Sequence, residues 1–322
     1  MIEVIDLKKQ FYGDVNWLGI KSGIVNAVNG VSFTINEGET LGLVGESGSG
    51  KSTLGRLLLR LLEPTSGSII LNGEEINKIS VKKFRTMRKE LQIIFQNPYA
   101  ALDDRMIVED IIYQPLQIHK IVEPSGYKKE IYRLLDMVGL SKDTARKLPH
   151  ELSGGQRQRV AIAKAISTKP KFLVCDEPVS SLDVSVQSQI LNLIMDLQKE
   201  LNLSCLFISH DLNVISHVSN KIAVMYLGEF VEYGDADNII KNSKHPYTKA
   251  LFSAGERTMV DKERDIKICG EIPSAMNRPE GCVFCRRCPQ ECGICSKEKP
   301  VKVMMEDGTE VSCHLYKRGV EA

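Results

Sequence analysis

The sequence predicts an α/β fold: a largely parallel sheet of apolar strands linked by helices, with polar residues collected along one sheet edge. Three stretches carry that reading. The apolar run 40–44 leads into Gly45-Glu46-Ser47-Gly48-Ser49-Gly50-Lys51-Ser52 and then into residues 53–62, which have the composition of a helix. The apolar run 171–177 ends in two carboxylates, Asp176 and Glu177, and the run 203–208 ends at Ser209-His210-Asp211. Strand, glycine-rich loop and helix in succession is the context in which the spacing GxxxxGK[ST] marks a phosphate-binding loop.

Residues 2–7 alternate apolar and polar and read as an edge strand that runs on to Phe11-Tyr12. Residues 13–24 read as a flexible insertion, and residues 25–35 as a second strand that reaches the loop strand through Asn36-Glu37-Gly38-Glu39. An aromatic ahead of a phosphate loop stacks on a base, so Phe11 reads either as an adenine platform or as core. In the loop, Gly45, Gly48 and Gly50, with Ser47 among them, let backbone N–H groups curl inward as an anion nest. The helix that opens at Thr53 adds partial positive charge. Lys51 is placed to reach the β- and γ-phosphates of a nucleotide, and the Ser52 hydroxyl to sit on Mg²⁺.

Beyond the loop, residues 64–67 read as a turn, 68–72 as a short strand and 91–95 as another, ending at Gln96. Residues 97–150 turn helical, with apolar spacing at Ile107, Ile111 and Ile112 and again at Ile131, Leu134, Leu135 and Val138. Lying between strands, they read as an inserted helical subdomain. Leu152-Ser153-Gly154-Gly155-Gln156 opens the next helix, with Ser153 as N-cap and the two glycines exposing N–H groups as a second anion site. One nucleotide reaches both glycine loops only if the fold brings them together or if two chains share it.

Asp176 suits a water-mediated contact to Mg²⁺ and Glu177 the polarising of an attacking water; the plainer reading is an acidic strand-to-loop turn. Pro178 stops the strand, Ser180-Ser181-Leu182-Asp183 forms a polar loop, and residues 184–201 an amphipathic helix. His210 lies at the same edge and reads either as a γ-phosphate contact or as a structural histidine.

At 322 residues and 43% hydrophobic, the chain can bury one large core or two smaller ones. Lys+Arg 42 against Asp+Glu 41, a net charge of +1, gives no support for a nucleic-acid surface or a polybasic membrane anchor. No run approaches the roughly 18 apolar residues that cross a bilayer. Met1-Ile2-Glu3 opens directly on a strand without the regions of a secretory signal, so a cytoplasmic location is expected. Of nine cysteines, Cys175 and Cys205 lie in apolar strand runs and read as inert core. The other seven crowd between Cys269 and Cys313, which in that compartment favours metal or cluster ligation over disulfides.

In order, GESGSGKS, Gln96, LSGGQ at 152–156, FLVCDE at 172–177, SLD at 181–183 and His210 resemble the Walker A, Q-loop, signature, Walker B, D-loop and H-loop of an ABC-transporter ATPase subunit. The likeness covers residues 1–255. It implies an α/β P-loop NTPase of ABC type with an antiparallel β subdomain, the helical subdomain within 97–150, and a cysteine-rich extension over 256–322. It also implies a head-to-tail dimer that holds ATP between Walker A of one copy and LSGGQ of the other, which resolves the two glycine loops. By resemblance, Phe11, Gly45, Ser47, Gly48, Gly50, Lys51, Ser52, Thr53, Gln96 and Asp176 take ATP. Ser153, Gly154, Gly155 and Gln156 close on it, with Asp183 beside them. Ser52, Gln96 and Asp176 serve Mg²⁺, while Glu177, His210 and Gln96 serve hydrolysis.

A narrower resemblance follows. Phe95-Gln96-Asn97-Pro98-Tyr99-Ala100-Ala101-Leu102 and His245-Pro246-Tyr247-Thr248-Lys249-Ala250-Leu251 are similar to the oligopeptide/dipeptide importer subgroup. So are Gly270-Glu271-Ile272-Pro273-Ser274, Gly281-Cys282-Val283-Phe284 and Arg287-Cys288-Pro289. The insertion after Phe11 resembles the F-type ATPase of that subgroup. This implies an ATP-hydrolysing subunit that drives uptake of oligopeptides or dipeptides, peripheral on the inner face of the cell membrane. Its implied partners are two permease subunits, a D-type ATPase or a second copy of itself, and an extracytoplasmic binding protein. Members also import nickel or other small solutes, so that cargo stays open. A soluble non-transport ABC ATPase is the rival class; the single P-loop, the lack of sustained heptads and the near-zero net charge count against it. Asp103-Asp104 stands where the family usually has Asn-Pro, and Asn97 where Asp is common; neither change removes a phosphate ligand.

The cysteine spacing has three readings. Cys282-x2-Cys285-x2-Cys288-x3-Cys292 is the run of a ferredoxin-like iron–sulfur site, with Gly293 where Pro is expected. Cys282 and Cys285 with Cys292 and Cys295 make a compact tetrahedral Zn²⁺ set. The family resemblance implies the third, Cys282, Cys288, Cys295 and Cys313 on a [4Fe–4S] cluster. A tail with few large apolar residues cannot bury enough surface to fold unaided, so a structural metal is expected to supply the stability.

Overall fold

The alternation at 2–7 and the unbroken apolar runs at 40–44, 172–176 and 204–208 all become strands, because each pattern matches the faces it has to cover. The computed structural model describes residues 1–13, 23–123, 125–255, 273, 276 and 278–316. The expected insertion therefore lies almost wholly outside the described residues, as do Cys269 and, apart from Pro273, the 270–274 motif. The chain divides into two compact units: Met1, 35–39 and 78–207 in one, and 2–34, 40–77 and 208–322 in the other.

In the first unit, Leu91–Ile94 and Phe172–Asp176 run parallel, with Leu91 opposite Phe172 and Ile94 opposite Cys175. Ser204–Ser209 flanks Phe172–Asp176 on the other side. Cys175 and Cys205 are buried, as inert core residues should be, and burial pushes the Cys175 thiol well above its ordinary range. The helical insertion is present. Val108–Ile118 buries Val108, Ile111, Ile112 and Leu116, and Tyr127–Met137 buries Ile131, Leu134 and Leu135. Ile107 stands one step outside the first of these helices, as its extended N-cap.

The second unit holds an antiparallel sheet in the order Ile24–Ile35, Ile2–Tyr12, Ser66–Leu71, Glu74–Glu75. Ile2 faces Leu71, and the register breaks between Ile5 and Lys8. A second set begins with Thr40–Val44 parallel to Lys221–Tyr226, Val44 opposite Val224. Lys221–Tyr226 turns through Leu227-Gly228 into the antiparallel strand Glu229–Asp235; both turn residues have positive φ, 42° and 83°. That is the hairpin geometry whose twist matches the flanking strands. Glu310–Ser312 pairs with Glu229–Asp235, and Lys302–Met304 with Glu310–Ser312.

The helix after the glycine loop is shorter than residues 53–62 predict: it spans Lys51–Leu58. Arg60 takes the left-handed conformation at φ 47°, donating its N–H to the Leu57 carbonyl (2.9 Å), while Leu61 N–H reaches the Arg56 carbonyl (2.9 Å). This double bond pattern is a Schellman stop, normally built on glycine. Arg60 is held there because its guanidinium bonds the Glu63 carboxylate at 2.9 Å and the Ile76 carbonyl at 3.1 Å. Among the described residues, no helix is long and apolar enough to cross a membrane.

Candidate nucleotide site

Two close approaches shape the loop. A Cβ on Gly45, at φ 155°, would stand 2.1 Å from the Met225 carbonyl oxygen, and one on Gly50, at φ 106°, 2.1 Å from the Ala27 carbonyl oxygen. Only glycine fits at either place. Gly50 is also the N-cap of Lys51–Leu58 and supplies no side-chain cap, so the first-turn amides keep their donors for a ligand. Lys51 is buried and spans the loop, donating Nζ hydrogens to the carbonyls of Gly45 (2.6 Å) and Glu46 (2.9 Å). Ser47 and Gly48 form the exposed tip, while Ser52 and Thr53 are half-buried on the helix. The buried Ser49 hydroxyl has no hydrogen-bond partner among the described residues, an orphan that a bound anion can satisfy.

Two residues far along the chain also touch the loop. The Tyr247 hydroxyl accepts the Glu46 N–H at 2.9 Å, and Arg287 grips the Glu46 carboxylate with both Nη atoms at 2.6 and 3.0 Å. The sequence reading placed Tyr247 and Arg287 in motifs and gave them no role. Their approach depends on tertiary folding across 201 and 241 residues, which no local pattern encodes.

In the other unit, the parallel register that sets Ile94 beside Cys175 carries the two following loops side by side. Gln96 Nε2 donates to Glu177 Oε2 at 2.8 Å, so two of the expected site residues meet. Asp176 is buried at the strand end, and Glu177 turns sharply away at φ 47°, a left-handed conformation that L side chains occupy at a cost of about 1–3 kcal/mol. Its carbonyl accepts Ser180 N–H (3.3 Å) and Ser180 Oγ–H (3.1 Å), which fixes the turn.

The double-glycine turn has the expected cap. Ser153 Oγ accepts Gln156 N–H at 3.3 Å and Gln156 Oε1 accepts Ser153 N–H at 3.1 Å, a reciprocal box. Gln156 thus serves the helix end, and the amides of Gly154 and Gly155 remain first-turn donors. A Cβ on Gly155 would meet Val186 Cγ1 at 2.7 Å, so the glycine also lets Val184–Glu200 pack closely. Asp183 is the exposed N-cap residue of that helix.

His210 is exposed after Ser204–Ser209, just ahead of Asp211, which caps Leu212–Val218 by accepting Asn213 N–H at 2.8 Å. Phe11 is 38% exposed, with the Lys9 ammonium 5.2 Å from its ring centre, which removes the core reading.

The six described cysteines of the tail lie in one neighbourhood. Cys282, Cys285, Cys295 and Cys313 are buried, Cys288 is half-buried and Cys292 exposed. Cys282 N–H bonds the Cys295 carbonyl at 2.7 Å, and the sulfurs of Cys292 and Cys295 are 3.2 Å apart. Burial pushes the Cys282 thiol up to about 12, helped by backbone-opposed repulsion from Cys295, Cys313 and Cys285, and the Cys295 thiol to about 11. A cation is what such thiols need to ionise. Among the described residues, no three His, Cys, Asp or Glu side chains are arranged to hold a metal ion.

Residues 28–180 match the family model described as ABC transporter, and residues 231–295 the model described as oligopeptide/dipeptide transporter, C-terminal region. The oligopeptide transport ATP-binding protein AppF of Bacillus subtilis is 44% identical, over 98% of this chain and 97% of its own length. The dipeptide transport ATP-binding protein DppF of Escherichia coli is 44% identical, over 93% of this chain and 90% of its own. Among solved structures, a dimeric post-hydrolysis state of the ATP-binding cassette MJ0796 bound to ADP and Pi is 26% identical. It aligns with 73% of this chain and 99% of that one, at a TM-score of 0.65. Phosphate loop, Gln96–Glu177 pair, capped double-glycine turn and these likenesses converge: the chain belongs to the ATP-binding subunits of ABC transporters, which are ATPases, in the group that carries the oligopeptide/dipeptide transporter C-terminal region.

Proposed function

We propose that this ATPase powers import of oligopeptides or dipeptides from the inner face of the cell membrane. The observation that carries the catalytic assignment is the 2.8 Å bond between Gln96 and Glu177, made at the ends of adjacent parallel strands. It supports Glu177 as the group that polarises the attacking water and Gln96 as the residue that senses whether nucleotide is bound. Gly45, Ser47, Gly48, Gly50, Lys51, Ser52 and Thr53 hold the phosphates, Phe11 stacks on adenine and His210 holds the γ-phosphate. Ser52, Gln96 and Asp176 offer oxygen donors, the chemistry that a hard divalent cation takes. Bound Mg²⁺ would neutralise phosphate charge. Ser153, Gly154, Gly155, Gln156 and Asp183 act across a dimer, the state in which the relative MJ0796 is described.

The cargo reading rests on the match over residues 231–295 and on the names of the relatives. The finer assignment is an F-type subunit, with 1–255 as the nucleotide-binding domain and 256–322 as the extension. It works beside a D-type ATPase or a second copy of itself, with two permease subunits and an extracytoplasmic binding protein. The donor chemistry of Cys282, Cys288, Cys295 and Cys313 fits a [4Fe–4S] cluster, three of them buried and Cys288 half-buried. Ligation requires their side chains to turn from the present arrangement.

Glu177→Gln tests the central assignment. ATP binding should persist while hydrolysis falls about 10²–10⁴-fold. Wild-type turnover in that variant would remove Glu177 as the base. Uptake of labelled dipeptides, oligopeptides and nickel by cells lacking the gene identifies the cargo; loss of nickel uptake alone would overturn the peptide reading.

A further inference from the structure

Glu46 poses a problem for a phosphate loop. Its carboxylate sits one residue inside an anion nest, where an unpaired negative charge would repel the triphosphate that the loop is built to hold. The structure answers it with Arg287, whose two Nη atoms take the two carboxylate oxygens at 2.6 and 3.0 Å. The Arg287 side chain is 8% exposed and that of Glu46 23%, so the pair is shielded from solvent and is a fork-to-fork bridge rather than a loose surface contact. Arg287 is itself fixed, with Nη1 3.3 Å from the Tyr226 hydroxyl and the guanidinium 5.9 Å from that ring centre.

The backbone of the same residue is held as well. Tyr247, fully buried, accepts the Glu46 N–H at 2.9 Å. Tyr226, Tyr247 and Phe284 form one aromatic cluster, with ring centres 4.7 to 5.3 Å apart. Phe284 and Arg287 both come from the cysteine-bearing segment. The loop tip contributes little of its own: Ser47 and Gly48 are exposed, and a Cβ on Gly48 would touch nothing within 4 Å.

We propose that Arg287 and Tyr247 are positioning residues for nucleotide binding: Arg287 neutralises and clamps the Glu46 carboxylate, Tyr247 pins its amide, and the cysteine-rich segment thereby presets the phosphate loop. Their contribution falls on affinity, since neither residue touches the reacting atoms. The proposal rests on residues 45–52 being the nucleotide loop.

The test measures the Kd of ATP, kcat and hydrogen exchange of the amides at 45–50 in the full-length chain. Arg287→Gln should raise Kd about tenfold, with kcat at saturation within about twofold and faster exchange confined to the loop. Adding Glu46→Gln to Arg287→Gln removes the uncompensated charge and should recover part of that affinity. A merely structural role for Arg287 gives the same loss in both backgrounds. Tyr247→Phe keeps the aromatic cluster and should raise Kd about threefold, so the proposal stays testable if Arg287→Gln folds poorly. Unchanged Kd and exchange in Arg287→Gln and Tyr247→Phe, beside lost binding in Lys51→Ala, overturns the clamp alone. Wild-type binding in Lys51→Ala overturns the nucleotide loop, and the clamp with it.

Discussion

His245 shows how a single buried group sets a pH limit. It is 1% exposed, its Nδ1 accepts the Tyr247 N–H at 3.1 Å, and burial, with Lys249 nearby, lowers its pKa from 6.5 to about 3. Between those values the unfolded chain binds a proton that the folded chain refuses, so stability falls as pH drops through that window. Glu232, raised by burial, works in the opposite sense, and comparison with His245→Asn isolates the histidine. Asn keeps an acceptor for the amide and carries no proton. Urea unfolding at pH 7 and pH 4 should show the wild type losing up to about 3 kcal/mol more than the variant. Equal losses would mean that His245 titrates normally. None of this is readable from the sequence, where His245 is one residue of a motif. Its shift comes from burial, to which the Phe284 ring, 5.7 Å away centre to centre, contributes, and from the nearby Lys249 charge.

At the scale of elements, Gly154–Ile166 separates what local chemistry encodes from what it does not. Its start was legible, because a serine ahead of two glycines with Gln three residues on is a capping box written in sequence. Ser153→Ala should destabilise the protein by about 1 kcal/mol in thermal unfolding; no change would mean that the helix is held from elsewhere. It is in fact also pinned along its length. Arg157 Nε donates to the Pro149 carbonyl (2.5 Å), Arg159 Nη1 to the Val138 carbonyl (2.6 Å) and Lys164 Nζ to the Ala101 carbonyl (3.1 Å). Those basic residues are struts in the structure. The Schellman stop at Arg60 was hidden for a related reason: the residue usually found there is glycine, and tertiary bonds to Glu63 and Ile76 take its place. The hairpin of Lys302–Met304 and Glu310–Ser312 turns with Gly308 at φ 78°, and its docking on Glu229–Asp235 is a long-range pairing.

For the whole molecule, the expectations concern assembly and metal. Glu177→Gln with ATP should double in mass by light scattering and return to monomer with ADP. A variant that stays monomeric both alone and when mixed with the D-type ATPase would place the Ser153–Gly155 turn outside any shared site. Anaerobically purified wild-type protein should show broad visible absorption that chelation bleaches, with a lower Tm for the second unit. A colourless sample with stoichiometric zinc would end the iron–sulfur assignment.

The sequence by itself determined the strands, the phosphate loop, the capped double-glycine turn, the paired carboxylates and the family, since each depends on neighbours a few residues apart. Only the tertiary structure decided that Gln96 meets Glu177, that Phe11 is exposed, and that Arg287 and Tyr247 hold Glu46. Those contacts join residues 81 to 241 positions apart, where strand register and burial, rather than local spacing, choose the partner.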